Sequence, residues 1–249
     1  MRQLRERPFL FLLVALLSLV AVYPAFHETA WSREVFDVLR TLVLLGAFRV
    51  VFARRKEFVS GVGMAAVLFA GIWLGYLFPD RAALPVVLTL HAVGMVFLGL
   101  AIAAILRTIY SQREVSADHV AGALCVYLLL GVVFAHAYWF IETALPGSFR
   151  GDGEFGTELA DPKRSPFALQ YYSFVTLASV GANDVTPVRA AARGVTILEA
   201  ICGQFFLAVL IADLVGKKVG AQTVVPPPRA DGPASAPAPT TDGEVGVTT

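Results

Sequence analysis

The residues whose types and spacing offer chemistry sit in one short run: Ser179, Val180, Gly181, Ala182, Asn183 and Asp184. The run offers oxygen, from a hydroxyl, a row of backbone carbonyls and a terminal carboxylate. It forms no recognisable nucleophile–base set, carboxylate pair or phosphate loop. Before it lies an amphipathic segment, YYSFVTLA, introduced by Ser165 and Pro166, a good N-cap and a good first helical residue. After it, Thr186 and Pro187 are expected to open a long apolar helix. The order is therefore helix, short helix, extended loop, helix, between flanks too apolar for a soluble protein. A short helix and bare loop between membrane spans is a re-entrant loop, tolerated at membrane depth only against protein or a water-filled path.

These residues resemble a known pattern. SFVTLASVGANDVTP is similar to the pore loop of the potassium-channel superfamily, whose filter usually reads threonine-valine-glycine-tyrosine-glycine-aspartate; Ser179 to Asp184 fall on those six positions. The segment LEAICGQFFLAVLIADLVG resembles the inner helix of small prokaryotic members. The resemblance is close over about Phe167 to Gly216 and holds only at the level of topology before that.

It implies a homotetramer, with the loop on a four-fold axis and a ring of carbonyls replacing the hydration shell of a permeant K+ or Na+. Ser179 would give a hydroxyl and a carbonyl at the inner end, Val180 to Asn183 carbonyls above it, and Asp184 an acid at the outer mouth. Thr176 and Glu199 would support the filter, and Gly203 would be a gating hinge or a small residue at a helix contact. The short helix, from Pro166 to about Ala178, would aim its partly negative C-terminal end at the central cavity.

Two positions depart from the pattern. Ala182 stands where the family has an aromatic ring that braces the filter, and Asn183 stands at the second glycine. Asparagine accepts a left-handed backbone for roughly 1–2 kcal/mol, so the loop can still form. The missing ring predicts a wider outer filter and weakened selection of potassium over sodium.

The 249 residues are 57% hydrophobic, with a mean hydropathy of +0.68, as expected of a polytopic, all-α membrane protein. Six spans are expected. They are about Phe9–Val22, Val35–Ala53, Phe58–Phe78, Leu84–Leu106, Asp118–Ile141 and Pro187–Val215, with the pore helix and filter loop between the fifth and sixth. The first run, preceded by Arg2, Arg5 and Arg7, reads either as a secretory signal or as a retained helix; no clean small-x-small site precedes Phe26, which favours retention. The second span carries Asp37, Arg40 and Arg49. Arg49 is placed to snorkel, and Asp37 and Arg40 share one helix face. The third holds Gly61, Ala65, Gly71 and Gly75, small residues suited to close helix packing.

Basic residues cluster in every second connection: Arg54, Arg55 and Lys56, then Arg107 and Arg113, then Lys217 and Lys218. The positive-inside rule then puts both termini in the cytoplasm, with the pore loop outside, in a multi-pass protein of the cell (inner) membrane. The domain reading is a four-helix scaffold over 1–113, like a sensor domain without gating charges, a pore domain over 114–220 and a disordered cytoplasmic tail over 221–249. The fourth span has His91 in place of an arginine ladder, so no conventional voltage sensing is expected. The tail is rich in Pro, Ala, Gly and Thr, and its partner, if it has one, is not legible.

Other residues offer weaker chemistry. His136 and Glu142 make two metal or proton ligands without a third. Cys125 and Cys202 read as small buried hydrophobes, Asp213 as a solvated helix end, and 142–165 as an ordinary solvated loop. No cofactor, no nucleic acid and no enzymatic activity is indicated. The leading expectation is a tetrameric cation channel; the alternative is a non-conducting, channel-like structural or regulatory subunit of the membrane.

Overall fold

The computed structural model describes residues 8–21, 32–52, 63, 66–71, 84–111, 117–160, 167–181 and 183–222. Seven helices carry labels here: α1 Pro8–Ala21, α2 Ser32–Phe52, α3 Leu84–Ser111, α4 Ala117–Ala144, α5 Gly153–Ala160, α6 Phe167–Leu177 and α7 Ala190–Gln222. Residues 66–71 are also helical. The rest of the expected third span, the six residues 161–166 with Ser165 and Pro166, Ala182 itself and the tail beyond Gln222 lie outside the described residues.

Apolar spacing explains the packing. Phe9, Leu12, Leu16 and Leu19 recur at three- and four-residue steps and form the buried stripe of α1. Phe36, Leu39, Val43 and Ala47 do the same for α2, and Phe97, Leu98, Ala101 and Ile105 for α3. The stripes of α1 and α3 pack on α4, and that of α2 packs on α1 and α3, in one continuous core that includes Ala123, Val126 and Leu129 of α4. Between lipid-facing helices such burial stabilises through close packing rather than escape from water.

Three helices among the described residues are long and apolar enough to cross a membrane: Leu84–Ser111, Asp118–Ala144 and Ala190–Asp213. Helix α1 is apolar but has 14 residues, about 21 Å against a hydrocarbon core of about 30 Å. Helix α2 is long enough, but Asp37, Arg40 and Arg49 lower its apolar character.

The chain is mostly helical but not all-α. Strand β1 (Phe149–Gly151) pairs antiparallel with β2 (Val185–Pro187), placing Phe149 opposite Pro187, Arg150 opposite Thr186 and Gly151 opposite Val185. The pairing extends through Asp152 N–H to the Asp184 carbonyl at 2.9 Å and Val188 N–H to the Ser148 carbonyl at 2.8 Å. Thr186 and Pro187 therefore do not open the last helix. They end the loop as a strand, and α7 begins at Ala190 and runs past Val215 to Gln222.

The stretch 142–160 is likewise built rather than loose. Both Glu142 carboxylate oxygens accept backbone N–H groups, from Gly147 at 2.8 Å and Phe149 at 3.0 Å, and so fix the turn that launches β1. Ser148 closes the same turn by donating to the Leu145 carbonyl at 2.5 Å.

Candidate functional site

Helix α6 is held on three sides. Its first turn is capped from α5, where the buried Glu158 carboxylate accepts Ala168 N–H at 2.9 Å; a carboxylate there satisfies an orphan donor and suits the helix dipole. Its buried face, Ala168, Leu169, Tyr172 and Ser173, packs on α4. Tyr138, Phe149 and Tyr172 meet edge to face, with ring centroids 5.1–5.5 Å apart. Phe155 of α5 stacks on Tyr171 at 5.0 Å.

The C-terminal end of α6 sets the loop. Ser179 N–H donates to the Thr176 carbonyl and Val180 N–H to the Val175 carbonyl, each at 2.9 Å. This is a Schellman closure, which requires a left-handed residue just beyond the helix. Ser179 occupies it with φ 55°, and Gly181 follows with φ 68°. By analogy with the glycine it replaces, Asn183 is the expected left-handed residue. Among the described residues that conformation falls on Ser179, because the helix terminates there. The Leu177 carbonyl accepts from Tyr127 Oη of α4 at 3.2 Å. The dipole end of α6 is thus largely closed by Ser179, Val180 and Tyr127.

The loop's side chains are tied on both flanks. Gln204 Nε2 donates to Ser179 Oγ at 2.8 Å. Tyr171 Oη donates to the Asp184 carboxylate at 2.9 Å. Ser179, Val180, Gly181, Asn183 and Asp184 are exposed in the single chain.

Glu199, fully buried on α7, joins three elements. Tyr138 Oη of α4 donates to Oε2, and Ser173 Oγ of α6 is hydrogen-bonded to Oε1. Ser173 Oγ also donates to the Gly131 carbonyl at 2.6 Å. One step outward, Tyr172 Oη meets Thr196 Oγ1 at 2.9 Å. Gly203 packs directly on the end of α6: a Cβ there would lie 2.4 Å from the Leu177 carbonyl oxygen. That is the close helix contact that its sequence allowed; bending at Gly203 is a separate matter. Thr176 is buried beneath the loop.

His136 and Glu142 are not brought together. His136 Nδ1 donates to the Val132 carbonyl at 2.8 Å, and Nε2 faces Arg40. Both Glu142 oxygens serve the turn. Among the described residues no group of three metal-ligating side chains occurs. Cys125 is buried, with Sγ 3.4 Å from the Phe9 carbonyl, whereas Cys202 is exposed on α7. Asp213 borders an apolar cavity of about 220 Å³ with Phe205, Phe206 and Val209.

Residues 122–217, which run from α4 through the loop to α7, match the family model described as an ion channel. The match supports an ion channel of the potassium-channel superfamily. Within the channel domain lie the loop, its Glu158 cap, the Glu199 junction and the Gly203 contact. Neither the curated proteins nor the solved structures gave a match.

Sequence reasoning missed Glu158, Tyr138 and the β1–β2 pairing. The β-branched Val185 and Thr186 after Asp184 were the available strand signal, but three residues are too few to read alone.

Proposed function

We propose that the chain is one subunit of a homotetrameric cation channel of the potassium-channel type, carrying K+ and, through a loosened filter, Na+. It crosses the cell membrane six times, with both termini cytoplasmic, and residues 1–113 serve as a packing scaffold.

The observation that carries this reading is the exposed set of loop residues, Ser179, Val180, Gly181, Asn183 and Asp184, at the end of a buried and capped helix. Val180 is 71% exposed, and the neighbouring α7 face leaves Ile197, Leu198 and Phe205 between 58% and 67% exposed. Exposed loop backbone cannot face lipid. Four copies around an axis would cover the apolar face and turn the loops toward a common water-filled path, where carbonyls can replace hydration. Ala182 and Asn183 in place of the ring and the second glycine support weakened selectivity. Helix α3 has no basic residue before Arg107, which supports gating without a conventional voltage sensor.

The test is flux from the purified full-length protein in liposomes, with reversal potentials under a bi-ionic K+/Na+ gradient. A current that passes both ions, sharpened toward K+ by Ala182→Tyr with Asn183→Gly, is expected. A strictly K+-selective current from the unaltered chain would overturn the loosened filter. No flux from a folded tetramer would favour a non-conducting subunit. That second reading draws on Val180 N–H, which is turned back onto α6 rather than along an open loop.

A further inference from the structure

A cavity of about 250 Å³ lies outside the pore loop, between α2, α3, α4 and α6. Its wall is mostly apolar, with Val43, Leu68 and Leu98 among its lining. One side is polar. Arg40 and Asp37 reach it from α2, His91 from α3, His136 and Thr143 from α4, and Gln170 from α6. Of the charged and titratable groups there, Asp37 is the one acid.

The hydrogen bonding leaves donors to spare. Because His136 Nδ1 donates to the Val132 carbonyl, Nε2 is an acceptor, and it takes Arg40 Nη2 at 3.5 Å. His91 packs edge-on against His136, with centroids 5.7 Å apart. Arg40 has five N–H groups; one meets His136, the Phe36 ring centroid lies 5.8 Å from the guanidinium, and Asp37 is near enough for its charge to act on it. Gln170 is 6% exposed and lines the cavity. An ionisable group at membrane depth marks a functional site by default.

We infer that this cavity is a binding site for a carboxylate-bearing amphiphile, its head on Arg40 and the Gln170 amide and its acyl chain along the apolar wall. A guanidinium fork matches a carboxylate in shape and charge. An apolar cavity of about 150 Å³ takes a benzene molecule, so this one has room for a medium-length chain. Gln170 sits one residue before Tyr171 on the helix that carries the loop, so an occupant touches the pore helix from the scaffold side. Binding at this site stands whether or not the pore conducts.

The test is fluorescence of Trp139, which lines the cavity, in the full-length protein carrying Trp31→Phe and Trp73→Phe, in nanodiscs. The probes are 10-bromodecanoate and 10-bromodecanol. Saturable quenching by the carboxylate is expected, at least tenfold tighter than by the alcohol. It is weakened at least tenfold by Arg40→Met and severalfold by Gln170→Leu. Quenching that is non-saturable, equal for both probes or unchanged in Gln170→Leu would overturn the site. If Arg40→Met fails to fold, Gln170→Leu and the probe comparison decide alone. Ion flux recorded on the same variants separates this site from the channel reading, because loss of flux leaves the quenching result standing.

Discussion

The Tyr171 phenol reaches the Asp184 carboxylate at 2.9 Å, so one hydrogen bond joins α6 to the end of the loop it carries. The loop is spanned like a bow by its string. Removing the donor with Tyr171→Phe should cost about 1 kcal/mol. Since about 1 kcal/mol is roughly a factor of five in a local opening equilibrium, amide exchange at Asp152, whose N–H is held by the Asp184 carbonyl, should quicken by about that factor. Hydrogen-exchange mass spectrometry checks this, and unchanged exchange would show that the β1–β2 pairing alone holds the outer end.

Glu199 is the shared partner of Tyr138 and Ser173. Glu199→Gln keeps acceptor and shape and should be mild. Glu199→Leu strands a buried phenol and should cost about 1–3 kcal/mol. Thermal unfolding in detergent ranks the two, and a double-mutant cycle with Ser173→Ala should be non-additive, because both act through one carboxylate.

Gly203→Ala would push a methyl group to within 2.4 Å of the Leu177 carbonyl. Such overpacking costs about 1–3 kcal/mol and should lower the unfolding temperature of the channel domain. A hinge role alone predicts a normal melt with altered opening. Unfolding and flux measured on the same preparation tell the two apart.

Glu158 caps α6 from a different helix. Glu158→Ala should destabilise α6 by about 1 kcal/mol. Glu158→Gln, which retains an oxygen acceptor, should recover most of it. Proteolytic sensitivity of the segment between α5 and α6 provides the readout.

What the sequence disclosed follows from the range of the interactions concerned. Helices α3, α4 and α7 announce themselves by long, mostly apolar runs, and the loop by six adjacent positions. The Glu158–Ala168 cap spans ten residues, and the Arg150–Thr186 pairing spans thirty-six. Neither leaves a periodic mark, since each depends on where two distant segments meet. Asn183 drew attention as the replacement for a glycine. Yet the left-handed residue is Ser179, because the end of α6 decides which peptide must turn. Cys202 looked like core because its neighbours are apolar, but it sits on an α7 face that a single chain leaves uncovered.

At Ser179, backbone and side chain make opposite demands. The φ of 55° favours glycine, or next asparagine, and disfavours a β-branched residue; the contact with Gln204 asks for a hydroxyl. Ordinary ideas of conservative replacement therefore invert at this one residue. Threonine, the closest chemical relative, strains the turn, whereas glycine relaxes it and discards the oxygen. A saturation library screened for folded protein and then for ion flux should rank substitutions here in opposing orders. Serine is the compromise between a chain that must turn and a loop that must offer an oxygen.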